Sequence, residues 1–148
     1  MSDSIYKIIP TDCRSKIDNY ILSQVLQYLK MFIKADDYSA HLYDTLSFID
    51  CGANLERITC PNCGKEVSFD WWGHAMDYAY RSKMDDLAIR MPCCGDDSFL
   101  NNLIYDAPCG FAFFEIDILN PVCPISVHHL NTISKIIGKN ITVVTSHL

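Results

Sequence analysis

Cys60-Pro61-Asn62-Cys63-Gly64 sets two thiols two residues apart in a tight turn. A turn of this kind aims both sulfurs at one point, and its backbone N–H groups can hydrogen-bond to thiolates. The glycine that follows admits the left-handed backbone the turn needs. Such a zinc knuckle is half of a tetrahedral site. Pro92-Cys93-Cys94-Gly95 supplies the other half when Cys94-Gly95 is aligned on Cys63-Gly64. That alignment leaves Met91 where a first cysteine would stand and makes Cys93 an adjacent ligand. The expected site is zinc held by Cys60, Cys63, Cys93 and Cys94; if one of the adjacent pair is a bystander, His74 or Cys109 replaces it. Four thiolates fill the coordination shell and leave no position for water or substrate, so the expected metal is structural.

The 29 residues between Cys63 and Cys93 exceed the roughly 15–20 common between ribbon knuckles, which asks for an inserted element. Asp70 is placed to cap a helix carrying Trp71, Trp72, Ala75, Met76, Ala79 and Tyr80 at helical spacing. Strand-like runs flank each knuckle: Ile58-Thr59 and Lys65–Phe69 around the first, Leu87–Met91 before the second. A thioredoxin-like use of Cys60 and Cys63 would need a strand running into a helix, which the Pro61-Asn62 turn between strand-like runs does not supply.

Eight cysteines in 148 residues could also be a disulfide framework. Met1-Ser2-Asp3-Ser4 has no basic n-region and Ile8-Ile9-Pro10 no apolar h-region, so the expectation is a reducing cytosol with no signal peptide. Cys13 and Cys51 are read as buried free thiols, Cys109 and Cys123 have no assigned role, and His128-His129 sits at a helix start without a ligand partner. Phosphate loops, dinucleotide fingerprints, Gly-x-Ser-x-Gly and His-Glu-x-x-His are all absent. Hydrophobic residues make up 49% and charged residues 20%, which is enough apolar material for a core and excludes a disordered chain. No stretch of about 18 uncharged apolar residues is present to span a membrane.

These motifs need elements to position them. Ile17, Ile21, Val25, Leu29 and Phe32 recur at helical spacing, with Thr11 or Asp12 as cap, and a second helix is expected over Ser39–Ile49, stopped by Gly52. After Asp106–Gly110, a turn, Phe111–Leu119 alternates with Phe114, Ile116 and Ile118 on one face and Glu115 and Asp117 on the other. Ser126 caps a helix through Leu130, Ile133, Ile136 and Ile137, Gly138 ends it, and Ile141–Val144 is a last strand. The expectation is a single α+β domain over 1–148: an N-terminal helical hairpin (1–54), a zinc ribbon with an inserted helix (55–96), and strands, a helix and a final strand (97–148). The hairpin packs on a small antiparallel β body.

Cys-Pro-x-Cys-Gly (60–64), the tryptophan-bearing helix, Pro-Cys-Cys-Gly (92–95), Pro-x-Gly-Phe (108–111) and Phe-Glu-Ile-x-Ile-x-Asn-Pro (114–121) run in this order. Over roughly residues 55–148 the order resembles small bacterial zinc-ribbon proteins encoded beside polymorphic or contact-dependent toxins, where they act as immunity proteins. The resemblance implies a non-catalytic cytoplasmic protein that binds and neutralises a cognate toxin, often a nuclease. The net charge of −6 is independently compatible, because a nuclease cleft is basic and an acidic inhibitor gains association rate from it. Expected partner contacts are Asp70, Trp71 and Trp72 near the ribbon, and Tyr105, Asp106, Glu115 and Asp117 on the β part.

Two other functions compete. A nucleic-acid-binding ribbon needs a basic face, yet residues 60–95 offer only Lys65, Arg81, Lys83 and Arg90 as cations. A zinc hydrolase using His74 or His128 needs an open metal position and a general base, and no base stands out.

Overall fold

The computed structural model describes residues 3–52, 54–107 and 109–147. In chain order its elements are β1 (Ser4–Pro10), α1 (Asn19–Phe32), β2 (Asp37–Ile49), β3 (Ile58–Thr59), β4 (Glu66–Val67), α2 (Phe69–Arg81), β5 (Ala88–Arg90), β6 (Asp97–Phe99), β7 (Ile104–Tyr105), β8 (Gly110–Leu119), α3 (Val127–Ile137) and β9 (Ile141–His147). The protein is α+β with antiparallel sheets.

Alternation on β8 organises the largest sheet, whose order is β2-β8-β1-β9. Phe114, Ile116 and Ile118 point to one face and are fully buried there. Tyr38, Ala40 and Leu42 of β2 stand opposite Ile118, Ile116 and Phe114, and Ile8 of β1 stands opposite Ile116. Helices α1 and α3 cover this face. Leu22, Val25 and Leu29 from α1 and Ile133 and Ile137 from α3 recur every three or four residues, as a helix lying on a sheet requires. Asp18 caps α1, its Oδ1 accepting from the Ile21 N–H at 2.8 Å, so the helix starts later than a Thr11 or Asp12 cap would set it. Ser126 caps α3 and Gly138 ends it at φ 76°, as the sequence predicts.

The expected N-terminal helical hairpin is not formed. Residues 4–10 are an internal strand of the sheet, and the stretch expected as a second helix, Ser39–Ile49, lies in the strand β2. The reason is a bulge. Leu42 pairs with Phe114 and Ser47 with Ala112, so Tyr43–Leu46 stand opposite Phe113 alone. The extra residues shift the phase of a two-residue alternation, leaving Leu42, Leu46 and Ile49 at four- and three-residue spacing. That spacing imitates a helix, and pairing with β8 overrides it.

The same bulge joins two cores. It drops Leu46, 1% exposed, among Ile58, Val67, Met76, Leu87, Leu100 and Phe111 of the cysteine-bearing region. Phe48 follows, packing edge-on against Trp72 and Phe111 with ring centroids 5.3 Å away in each case. The β3–β4 and β5–β6 hairpins and α2 are thereby fixed to the sheet. Among the described residues no helix is long and apolar enough to cross a membrane.

Leu46→Ala should lower the unfolding free energy by about 2–5 kcal/mol, the range for a buried Leu→Ala, whereas Leu42→Ala, at a site 41% exposed, should cost under about 1.5 kcal/mol. Urea titration of both variants checks the bulge as the junction; equal costs would contradict it.

Candidate metal centre

Two hairpins bring the four cysteines together. In the first, Thr59 pairs with Glu66, the Cys60 N–H donates to the Lys65 carbonyl at 2.8 Å, and the Gly64 N–H donates to the Cys60 carbonyl at 3.0 Å. In the second, Arg90 pairs with Asp97, the Met91 N–H donates to the Asp96 carbonyl at 2.9 Å, and the Gly95 N–H donates to the Met91 carbonyl at 2.9 Å. The two turns therefore superpose position by position, with Gly64 at φ 78° and Gly95 at φ 75°. An L-residue at either place would be strained, which is why glycine follows both cysteines. Met91 occupies the position of Cys60, and each of the two is 1% exposed. The second turn carries a core methionine in place of the first cysteine, and its other thiol, Cys93, stands two residues later, at the position of Asn62.

The sulfur geometry fits a four-coordinate metal. All four Sγ atoms lie within 4.8 Å of one another, with Cys63 to Cys93 at 3.2 Å and Cys60 to Cys94 at 3.9 Å. Tetrahedral ligands at a metal–sulfur distance of about 2.3 Å stand roughly 3.8 Å apart, so these spacings bracket the value. They are far from the ~2.05 Å of a disulfide. Among the described residues this is the one group of three or more His, Cys, Asp or Glu side chains placed to hold a metal ion. The Asn62 N–H reaches Cys60 Sγ at 3.3 Å, and the Asn62 side-chain Nδ2 donates to the Asp97 carbonyl at 3.2 Å, tying one hairpin to the other.

Electrostatics shows why a cation belongs here. Burial acts to raise the Cys60 thiol, but the Cys63 and Asn62 N–H groups and the neighbouring thiols hold it down to about 7. Cys93 is pushed up to about 12, first by its hydrogen bond with Cys63 and then by burial and by Cys60. One sulfur ionises at the expense of its neighbours. A metal with charge +2 removes that conflict and accepts all four as thiolates. His74 is exposed on α2, and Cys109 packs with Cys51, Ile9 and Val144 in another cluster, so neither replaces a member of the group.

The expected partner contacts separate. Asp70 and Asp106 are exposed; Asp106 Oδ1 accepts from the Glu56 N–H at 3.0 Å. Ser68, not Asp70, caps α2. Trp71 is half-buried against the ribbon core, and Trp72 Nε1 donates to Tyr105 Oη at 3.2 Å, which donates onward to the Leu100 carbonyl at 2.7 Å. Trp72 and Tyr105 thus join α2 to β7 and are not free anchors.

Glu115 is only 7% exposed and does not form part of an acidic surface. It accepts a hydrogen bond from Tyr43, and Asp117 on the same strand face lies 3.4 Å from His41 Nε2. Glu115 Oε2 and Asp117 Oδ1 are buried with no hydrogen-bond partner among the described residues. Burial, followed by hydrogen bonding and repulsion from Glu115, pushes the Asp117 carboxyl up to about 8, with Lys7 pulling the other way. No sequence signal points to this cluster, because Tyr43 and Glu115 meet across 72 residues.

Two outcomes follow. Removal of the bound metal by chelator, or Cys60→Ser, should lower Tm sharply and melt the ribbon region, since structural zinc contributes on the order of 10 kcal/mol in small modules; unchanged Tm under both would contradict the metal reading. Between pH 4 and 8 the folded Asp117 keeps a proton that the unfolded chain releases, so its contribution to stability is lost as pH rises through about 8. Asp117→Asn should therefore gain stability relative to the parent as pH rises from 5 to 8, measured as the difference between the two Tm curves; parallel curves would contradict it. Compared with known proteins, the chain matches no protein family, no curated protein and no solved structure.

Proposed function

We propose that the chain is a zinc-stabilised, non-catalytic protein of the bacterial cytoplasm that binds a cognate toxin, of nuclease type, and blocks it. The observation that carries this reading is the acidic surface: every Asp and Glu except Glu115 and Asp117 is exposed. Among the described residues only three ion pairs engage any of them, at Asp50, Glu66 and Asp97. An uncompensated surface of this kind is matched by a basic partner, and a nuclease must be basic where it meets phosphate. Zinc is the metal that suits four thiolates, and an all-cysteine tetrahedral site is closed to substrate, which fits a scaffold role. The resemblance of the motif order to that of ribbon-containing immunity proteins supplies the class of partner.

Asp70 and Asp106, both exposed beside the ribbon, are the contacts that the reading retains. The test uses the purified protein and the product of the adjacent gene. The pair should form a complex whose association slows as salt rises, and co-expression should protect cells from that product. Asp70→Lys with Asp106→Lys should cut the association rate at least tenfold in a variant that circular dichroism shows still folded, with Tm lowered by a few degrees for the lost Asp106–Glu56 hydrogen bond and the reversed charge in the first turn of α2. Absence of a complex, or full protection by the charge-reversed variant, would overturn the proposal.

A further inference from the structure

The layer formed by α1 and α3 differs in charge from the rest of the molecule. Neither helix contains an acidic residue, and after Asp117 the chain has none at all. Lys30 and Lys34 are exposed at the C-terminal end of α1. Large apolar side chains stand in water beside them: Met31 is 79% exposed, Phe32 58% and Val122 68%. Single exposed apolar residues are ordinary, but a contiguous group on one face marks an interaction surface.

The surface here is also concave. Phe32 separates two hollows, of about 390 and 480 Å³. One lies between the end of α1 and the loop Val122–Ser126, with Lys34 on its wall; the other lies between α1 and Ile136 of α3, with Lys30 on its wall. No carboxylate lines either. The dividing wall is fixed in place. The Tyr28 ring packs against Phe32 with centroids 4.9 Å apart, and Tyr28 Oη hydrogen-bonds to His129 Nδ1 at 2.7 Å. Val122 is held by its N–H to the Lys34 carbonyl at 2.9 Å.

We propose that this face docks an acidic amphipathic helix of a protein partner, with one apolar anchor in each hollow and its carboxylates against Lys30 and Lys34. Two hollows divided by one side chain suit anchors three or four residues apart on a helix, roughly 5–6 Å between Cβ atoms. Charge complementarity selects the acidic partner: a −6 protein repels anions over most of its surface, whereas the two hollows each have a lysine on their walls and no carboxylate, with Asp36 outside them and turned to Asn120. A basic toxin has no reason to settle between two lysines, so the inference is independent of the toxin-binding reading. A symmetric pairing of two copies through this face would set the same lysines against each other. A flat lipid surface would leave both hollows unfilled.

The probe is an 18-residue fluorescein-labelled synthetic helix with Leu at three- and four-residue spacing and Glu elsewhere, compared with the same peptide carrying Gln for Glu. Fluorescence anisotropy against the full-length protein should show saturable binding of the Glu peptide, at least tenfold tighter than the Gln peptide. Phe32→Ala, and separately Lys30→Glu with Lys34→Glu, should each weaken it at least tenfold with Tm unchanged, since all three side chains are exposed. No binding, equal binding of the two peptides, or binding that survives both variants would overturn the proposal. So would capture of the parent by phosphatidylserine vesicles in preference to the peptide, or concentration-dependent dimerisation abolished by Phe32→Ala.

Discussion

Four thiols crowded within 4.8 Å cannot all ionise without a cation between them, and the cysteine-bearing half of this protein is built around that constraint. The strands there are two or three residues long and contribute little by themselves. What fixes the two hairpins relative to each other is the sulfur cluster, one bond from Asn62 to Asp97, and a core that includes Cys60 and Met91. A metal at the centre would convert mutual repulsion into cross-linking, joining residue 60 to residue 94 through their sulfurs.

The second constraint is the bulge in β2. A regular strand would keep Leu46 on the sheet and leave the ribbon core open. Because Tyr43–Leu46 oppose a single residue of β8, one strand serves two cores, and Tyr43 is carried onto Glu115. The sheet is thereby divided along its length. Toward one end its apolar face carries the helices; toward the other it carries α2 and the metal hairpins. The charge follows this division, with acids spread over the ribbon and loops and none in α1 or α3. A small protein with two surfaces of opposite character can engage two partners of opposite character.

The parts legible from the residues were those whose physics is local. A knuckle declares itself within five residues, and even the displaced ligand at Cys93 follows from aligning Gly95 on Gly64. The ends of α3 were equally plain, because Ser126 and Gly138 act on their own neighbours. What escaped were features set by distant pairing. The phase shift in β2 depends on β8, and without β8 in view Leu42, Leu46 and Ile49 look helical. Glu115 and Asp117 alternate as exposed residues would, yet Tyr43 and His41 arrive from another strand to cover them. Trp72 and Tyr105 could have been anchors on a surface; their hydrogen bond turns both inward.

The central claim is that four sulfurs hold one metal and that the metal holds the fold. X-ray absorption at the metal edge of the purified protein tests it most directly. The account predicts one zinc per chain with four sulfur neighbours at about 2.3 Å and no nitrogen or oxygen ligand. Three or fewer sulfurs, a nitrogen ligand, or a metal-free protein that is folded with free thiols would contradict it.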